Sequence, residues 1–176
     1  YEIKDSYTFD VIASDGLLSD TKTVTVNITD VNEGPIFTNA IVDHEYWTFQ
    51  ENTTGIIGIV TAEDPDGDTL TYSVSGTDAS FIEIYWALGE VRLKETADYE
   101  TKDSYTFDVT ASDGELSDTK TVTVNVTDVN EVSTITSLNT GSVDENASPD
   151  TVIYDADATD PDGDSLTYAV SGTDAS

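Results

Sequence analysis

The 176-residue chain has no cysteine, no methionine and a single histidine, and sets only 6 Lys+Arg against 36 Asp+Glu. Without cysteine there is no disulfide to staple the fold, no thiolate to hold zinc and no sulfur nucleophile. The formal charge of −30 excludes nucleic acid as a default partner, because phosphate binding needs a basic face, and disfavours an anionic membrane surface for the same reason. Long apolar runs are lacking too. The longest, Gly55 to Val60, is far too short to cross a bilayer, so no membrane insertion is expected. No starting Met, leader or lipidation motif stands at the ends, which reads as an internal piece of a longer chain. A lone His44, with no nucleophile–base–orienter set, reads as solvent-facing and does not support a catalytic triad, so no enzyme is expected.

What remains is sufficient for a core. Hydrophobic residues make up 37% of the chain, with 5 Phe, 9 Tyr and 2 Trp, which argues against a disordered acidic tail. The surplus of carboxylates points either to hard cations with oxygen ligands, calcium above all, or to a solvated acidic surface. Composition leaves both open.

Internal repetition organises the chain. Residues 1–33 return at 99–131, and Asp64 to Ser80 returns as Asp160 to Ser176. Glu51-Asn52 is repeated as Glu145-Asn146. The unit is just under a hundred residues, so we expect the tail of one unit at 1–34, a complete unit at 35–131 and the head of a third at 132–176.

Period-two alternation marks strands with one face in a core and one in water. Tyr105, Phe107, Val109 and Ala111 alternate with polar residues, as do Val122, Val124 and Val126. The 28 Thr residues suit the wet face, being β-branched and polar. In the complete unit the pattern predicts strands near 46–50, 55–62, 69–75, 81–85, 90–94, 104–111 and 119–128. Turn signals such as Asp113-Gly114 and Pro65-Asp66-Gly67 separate them, and no helical period is sustained. Seven short strands per unit read as an all-β, antiparallel sandwich. Trp47 and Trp86 read as core or half-buried, and Asn27, Asn52, Asn125 and Asn146 each open a glycosylation sequon.

Acidic clusters recur at fixed places in the unit: Glu51, Asp98-Tyr99-Glu100, Asp128-Val129-Asn130-Glu131 and Asp64-Pro65-Asp66-Gly67-Asp68. Strand ends and loops of a sandwich gather at its poles, so the first three clusters are expected to meet the fourth cluster of the following unit. Such crowding is repulsive without a cation. Calcium takes six to eight oxygens and suits a mixed set of Asp, Glu, Asn and main-chain donors. Asp68 and Asp164 read as turn residues, because the helices and twelfth-position Glu of an EF-hand are missing.

These motifs, together with the Ala111-Ser112-Asp113-Gly114 turn, resemble cadherin repeats of the bacterial kind along essentially the whole chain. The resemblance implies tandem seven-stranded Greek-key sandwiches, immunoglobulin-like in form, with about three calcium ions at each junction. It implies a first junction built by Glu2, Asn32, Glu33, Asp64, Asp66 and Asp113. The second would use Glu51, Asp98, Glu100, Asn130, Glu131, Asp160 and Asp162. Carbonyls of Val31, Gly34, Val129 and Val132 would add donors. The departure is Glu33 and Glu131, where the family's linker carries Asp. The function implied is a calcium-rigidified structural or adhesive module of a large surface or secreted protein, of adhesin or filament type. It would stand at the cell surface, against neighbouring repeats and possible further copies or a surface ligand. An alternative is a carbohydrate- or protein-binding accessory module of a secreted polysaccharide-degrading enzyme, marked by exposed Tyr and Trp on one face.

Overall fold

A computed structural model describes residues 3–38 and 47–172. Glu2 and His44 lie outside the described residues, as does the first residue of the strand expected at 46–50. The first element is an antiparallel hairpin of β1 (Ser6–Ser14) and β2 (Ser19–Asn27), in register from Ser6↔Asn27 to Ser14↔Ser19. Its turn is closed by Asp15, whose carboxylate accepts N–H bonds from Leu17 at 2.9 Å and Leu18 at 2.7 Å, while Gly16 takes a φ of 93°.

A sandwich follows. β3 (Ile36–Phe37) pairs with β6 (Ala62–Glu63). One sheet has the order β4 (Trp47–Gln50), β11 (Ser117–Thr127), β10 (Ser104–Ser112), β7 (Thr71–Ser75). The facing sheet has the order β5 (Ile56–Ile59), β9 (Glu90–Leu93), β8 (Ile82–Tyr85). Ala79–Phe81 forms one 3-10 turn, and the described residues contain no α-helix. Six of the seven expected strands are present, and the run expected at 55–62 is divided between β5 and β6, which join different sheets. The structure adds β3, too short to show alternation, and it corrects one pairing, because β4 lies parallel to β11. Parallel neighbours need a long crossover, and here the connection from β4 to β11 runs through both sheets.

Alternation decides the core. On β10, Tyr105, Phe107, Val109 and Ala111 point inward, and on β11 Val122, Val124 and Val126 do so; Ile57, Ile82 and Val91 meet them from the other sheet. Each of the Val, Ile and Phe side chains among these contributes roughly 1.5–3 kcal/mol by leaving water. Trp47 packs against this cluster, and Gly58 makes room for it: a Cβ at position 58 would lie 2.2 Å from the Trp47 ring. Trp86, by contrast, is 58% exposed, so only one tryptophan meets the expectation for the pair. It sits in the β8–β9 turn, beyond the last strand residue facing the opposite sheet.

Asp78 ties the 3-10 turn to β10. Its carboxylate accepts the Thr106 N–H at 2.7 Å and pairs with the Lys102 ammonium at 3.1 Å. Burial raises the pKa of this carboxyl, but the Thr106 N–H and Lys102 more than offset it and hold the group below its ordinary value. Beyond β11, β12 (Thr134–Ile135) pairs with β13 (Ala158–Thr159).

Candidate metal centre

The parallel pairing of β4 with β11 builds the centre of what the sequence marks as the second junction. The register Gln50↔Thr127 delivers Glu51 to the point where β11 runs out into Asp128-Val129-Asn130-Glu131. The Glu51 N–H continues the ladder to the Thr127 carbonyl at 3.2 Å. Asn52 then turns the chain in the left-handed region, with φ 57°, a conformation Asn tolerates better than most residues. Its side-chain amide donates to a carboxylate oxygen of Glu131.

Glu51 is 1% exposed. One of its oxygens accepts the Tyr99 N–H at 2.7 Å and the other the Val129 N–H at 2.7 Å. Two backbone donors thus anchor the carboxylate, and each oxygen keeps a lone pair for another partner. Around it, carboxylate oxygens of Glu51, Glu100 and Asp128 lie within 4.8 Å of one another, as do those of Glu100, Glu131 and Asp162. Asp162 also accepts the Glu131 N–H at 2.8 Å.

The first junction carries the same contact. Asp66 accepts the Glu33 N–H at 2.8 Å, and Asn32 donates to Asp113 at 3.0 Å. The other Asp113 oxygen closes the β10–β11 turn through the N–H groups of Glu115 and Leu116, both at 2.6 Å. The Asn32 amide, ahead of those two N–H groups, holds the Asp113 carboxyl below its ordinary pKa. Asp64 accepts the N–H groups of Asp66 at 3.0 Å and Asp68 at 3.3 Å, which fixes the Asp-Pro-Asp-Gly-Asp loop.

The expected ligand positions therefore divide. Asn32 meets Asp113 and Glu33 meets Asp66, with Asp64 in the same loop; Glu2 lies outside the described residues. Glu51, Glu100, Glu131 and Asp162 come together. Asn130 donates to the Glu131 carbonyl at 3.1 Å, and Asp160 accepts the Asp164 N–H at 3.3 Å. Asp98 belongs to neither carboxylate group; one of its oxygens caps a turn by accepting the Thr101 N–H at 2.9 Å. Asp128 was not among the expected ligands, although it opens the same quartet as Asn130 and Glu131.

Among the described residues no basic side chain forms an ion pair with this cluster. The Glu131 carboxyl is raised by desolvation, against the opposing Asn52 amide, and further by Glu51, Asp162 and Glu100. Desolvation also raises Asp128, followed by the charge of Asp162, a shared hydrogen bond with it, and Glu51 and Asp164. The Glu100 backbone N–H pulls its carboxyl down, but desolvation and the charges of Glu51, Asp128 and Asp162 leave it raised. Ion pairs elsewhere join Arg92 to Glu90, Lys102 to Asp78 and Lys120 to Asp118. None of them reaches this cluster.

Three oxygens at the two junctions test whether a cation fits. Asp64 Oδ2, Asp66 Oδ1 and Glu131 Oε2 are buried and accept no hydrogen bond. A buried carboxylate oxygen without a partner is costly, and a hard divalent ion removes that cost. Every donor is oxygen, with no nitrogen or sulfur, which suits calcium rather than zinc. The residues fit the ion.

A β-sandwich of this topology gathers carboxylates where β4 and β11 end, an oxygen-only set that suits a divalent cation. The chain carries a cadherin repeat: the Cadherin domain family model matches residues 46–127. It is 30% identical to human Protocadherin Fat 1 over 99% of its own length and 4% of that protein. With zebrafish Cadherin-5 it shares 33% identity over 84% of its length and 20% of that protein. The chain thus spans a small part of these relatives. Among solved structures, human CDH23 EC21-23 matches with a TM-score of 0.65 and 22% identity, over 91% of this chain and 55% of that one, a likeness of fold. Cadherin repeats are extracellular adhesion modules and not enzymes, and their domains bind calcium at repeat junctions. No helix among the described residues is long and apolar enough to cross a membrane.

Proposed function

We propose that the chain is a calcium-rigidified stretch of a longer repeat array in a surface or secreted protein, of adhesin or filament type. In this reading its units divide at 34/35 and 131/132, and each junction holds about three calcium ions. The first uses Glu2, Asn32, Glu33, Asp64, Asp66 and Asp113, and the second Glu51, Asp98, Glu100, Asn130, Glu131, Asp160 and Asp162. Val31, Gly34, Val129 and Val132 supply carbonyls. One observation carries the reading. At both junctions a linker Glu gives its N–H to the second Asp of an Asp-Pro-Asp loop at 2.8 Å, beside carboxylate oxygens that are buried and unpartnered. Calcium there draws together acids that repel one another, and a flexible string becomes a rod.

Small-angle scattering of the chain in calcium and in EGTA tests this. Calcium is expected to give a single extended rod, and EGTA a broader distribution of end-to-end distances. Identical scattering in the two buffers would remove the mechanism.

A second reading, a carbohydrate-binding module, draws on Tyr85 and Trp86, which are 54% and 58% exposed at neighbouring positions. Exposed rings of this kind stack on sugars. Retention on a polysaccharide matrix in EGTA, lost in Trp86→Ala, would support it.

A further inference from the structure

We propose that the outward face of the β8–β9 hairpin holds one ring of a neutral, hydroxyl-rich sugar, in a cleft built by Glu83, Tyr85, Glu90 and Arg92. The inference rests on the carbohydrate reading above and deepens it, adding the polar groups and the class of ligand. Antiparallel register sets Glu83 directly opposite Arg92 and Tyr85 directly opposite Glu90. The pair between them, Ile84 and Val91, turns into the core, so alternation leaves the other four together on the solvent side. They line a cleft of about 210 Å³. Clefts that take a drug-sized ligand are larger, roughly 300–1,000 Å³, and this one suits a single ring.

The cleft is held from behind. The Tyr85 carbonyl accepts the N–H groups of Leu88 at 3.1 Å and Gly89 at 2.9 Å, which closes the turn. Gly89 takes a φ of 65° against Val60, where a Cβ would fall 2.1 Å from the Val60 carbonyl oxygen, and its own carbonyl accepts the Val60 N–H at 2.9 Å. Tyr85 thus presents an exposed ring on a fixed backbone. Arg92, the only arginine of the chain, gives an N–H to Glu90 at 3.1 Å and keeps its remaining donors.

Charge selects the ligand. Glu83 and Glu90 repel an anion, as does the net charge of −30, while the guanidinium beside them repels a cation. A neutral molecule must then donate to carboxylates and accept from a guanidinium, and a hydroxyl does both. Neighbouring hydroxyls of a pyranose match the Arg92 fork and the Glu oxygens, with the C–H face of the sugar on the Tyr85 ring. A protein partner fits less well, because interface centres are depleted of charge and only Tyr85 of the lining residues is uncharged.

Affinity electrophoresis of the whole chain in EGTA tests this, in gels holding hydroxyethylcellulose, galactomannan, arabinoxylan or polygalacturonate, each read against a gel without polymer. At least one of the neutral polymers is expected to retard the chain, and the anionic polygalacturonate is not. Tyr85→Ala is expected to weaken the retardation by about fivefold or more. Arg92→Lys, which keeps the charge and loses the fork, is expected to weaken it by about three- to tenfold. If a neutral polymer retards both variants as it does the native chain, the sugar binds elsewhere; the cleft is then wrong and the carbohydrate reading stands. Retardation by polygalacturonate alone overturns the class of ligand. If no polymer retards the chain, the carbohydrate reading falls and the cleft with it. Self-association of the native chain in sedimentation velocity, lost in Tyr85→Ala, would then make this face a protein contact.

Discussion

Saturating calcium is expected to raise the unfolding midpoint of the chain by about 10 °C or more, and EGTA to reverse the change fully. A ligand that binds only the folded state adds roughly 2.7 kcal/mol per site at a hundredfold excess over its dissociation constant. In a single repeat unit of about a hundred residues each kcal/mol moves the midpoint by roughly 4–8 °C. The pH dependence supplies a sharper sign. Without calcium, Glu100, Asp128 and Glu131 have folded-state pKa values raised above the ordinary range. The folded chain therefore binds more protons than the unfolded one as pH falls toward that range, and mild acidification stabilises it. With calcium bound, protons compete with the ion for the same oxygens, and the same acidification destabilises. Asp78, whose pKa is lowered, has the opposite sign. Its stabilisation is lost as pH falls through its folded value, but it lies away from the cluster and acts equally in both buffers. Thermal melts from neutral pH to about pH 5, with and without calcium, should give slopes of opposite direction once this common part is subtracted. Parallel slopes would show that no ion shares these carboxylates.

The second large effect is a contrast between two positions with one local sequence. Phe107→Ala is expected to cost about 3–5 kcal/mol, because it opens a cavity in a closed core. Phe9→Ala is expected to change stability by under about 1 kcal/mol, as surface substitutions generally do. Both residues lie in the run Lys-Asp-Ser-Tyr-Thr-Phe-Asp-Val, and both pair across an antiparallel hairpin with Val, Phe9↔Val24 and Phe107↔Val122. Among the described residues no second sheet covers the β1–β2 hairpin, so Phe9 is 50% exposed, whereas Phe107 faces the β5-β9-β8 sheet and is 1% exposed. Urea denaturation of the two variants measures the difference. Equal losses would mean that the hairpin and the sandwich unfold as one cooperative unit.

The pair also shows how far local pattern reaches. Alternation located the strands of the complete unit except that it merged β5 and β6 into one, and the repeated turns were legible because Asp and Gly act through their own neighbours. Asp15 and Asp113 each hold two N–H groups within three residues. The acidic positions were readable as clusters, since their residue types and spacings recur. Strand direction was not, because β4 and β11 are far apart in the chain and their side chains alternate alike whether parallel or antiparallel. Trp86 escaped for a related reason: its neighbours do not say where a turn leaves the sheet. The share of each carboxylate in the cluster was also hidden. Asp128 and Asp98 are equally acidic in sequence, and only the path of the backbone brings one to Glu51 and turns the other to Thr101.

By itself, then, the chain's order of residues determined its strands, its turns and the stock of oxygen donors, because each depends on contacts within a few residues. Tertiary structure alone decided that Glu51 reaches the end of β11 and which acids share a site. Those outcomes depend on segments tens of residues apart meeting in space, which no local periodicity encodes.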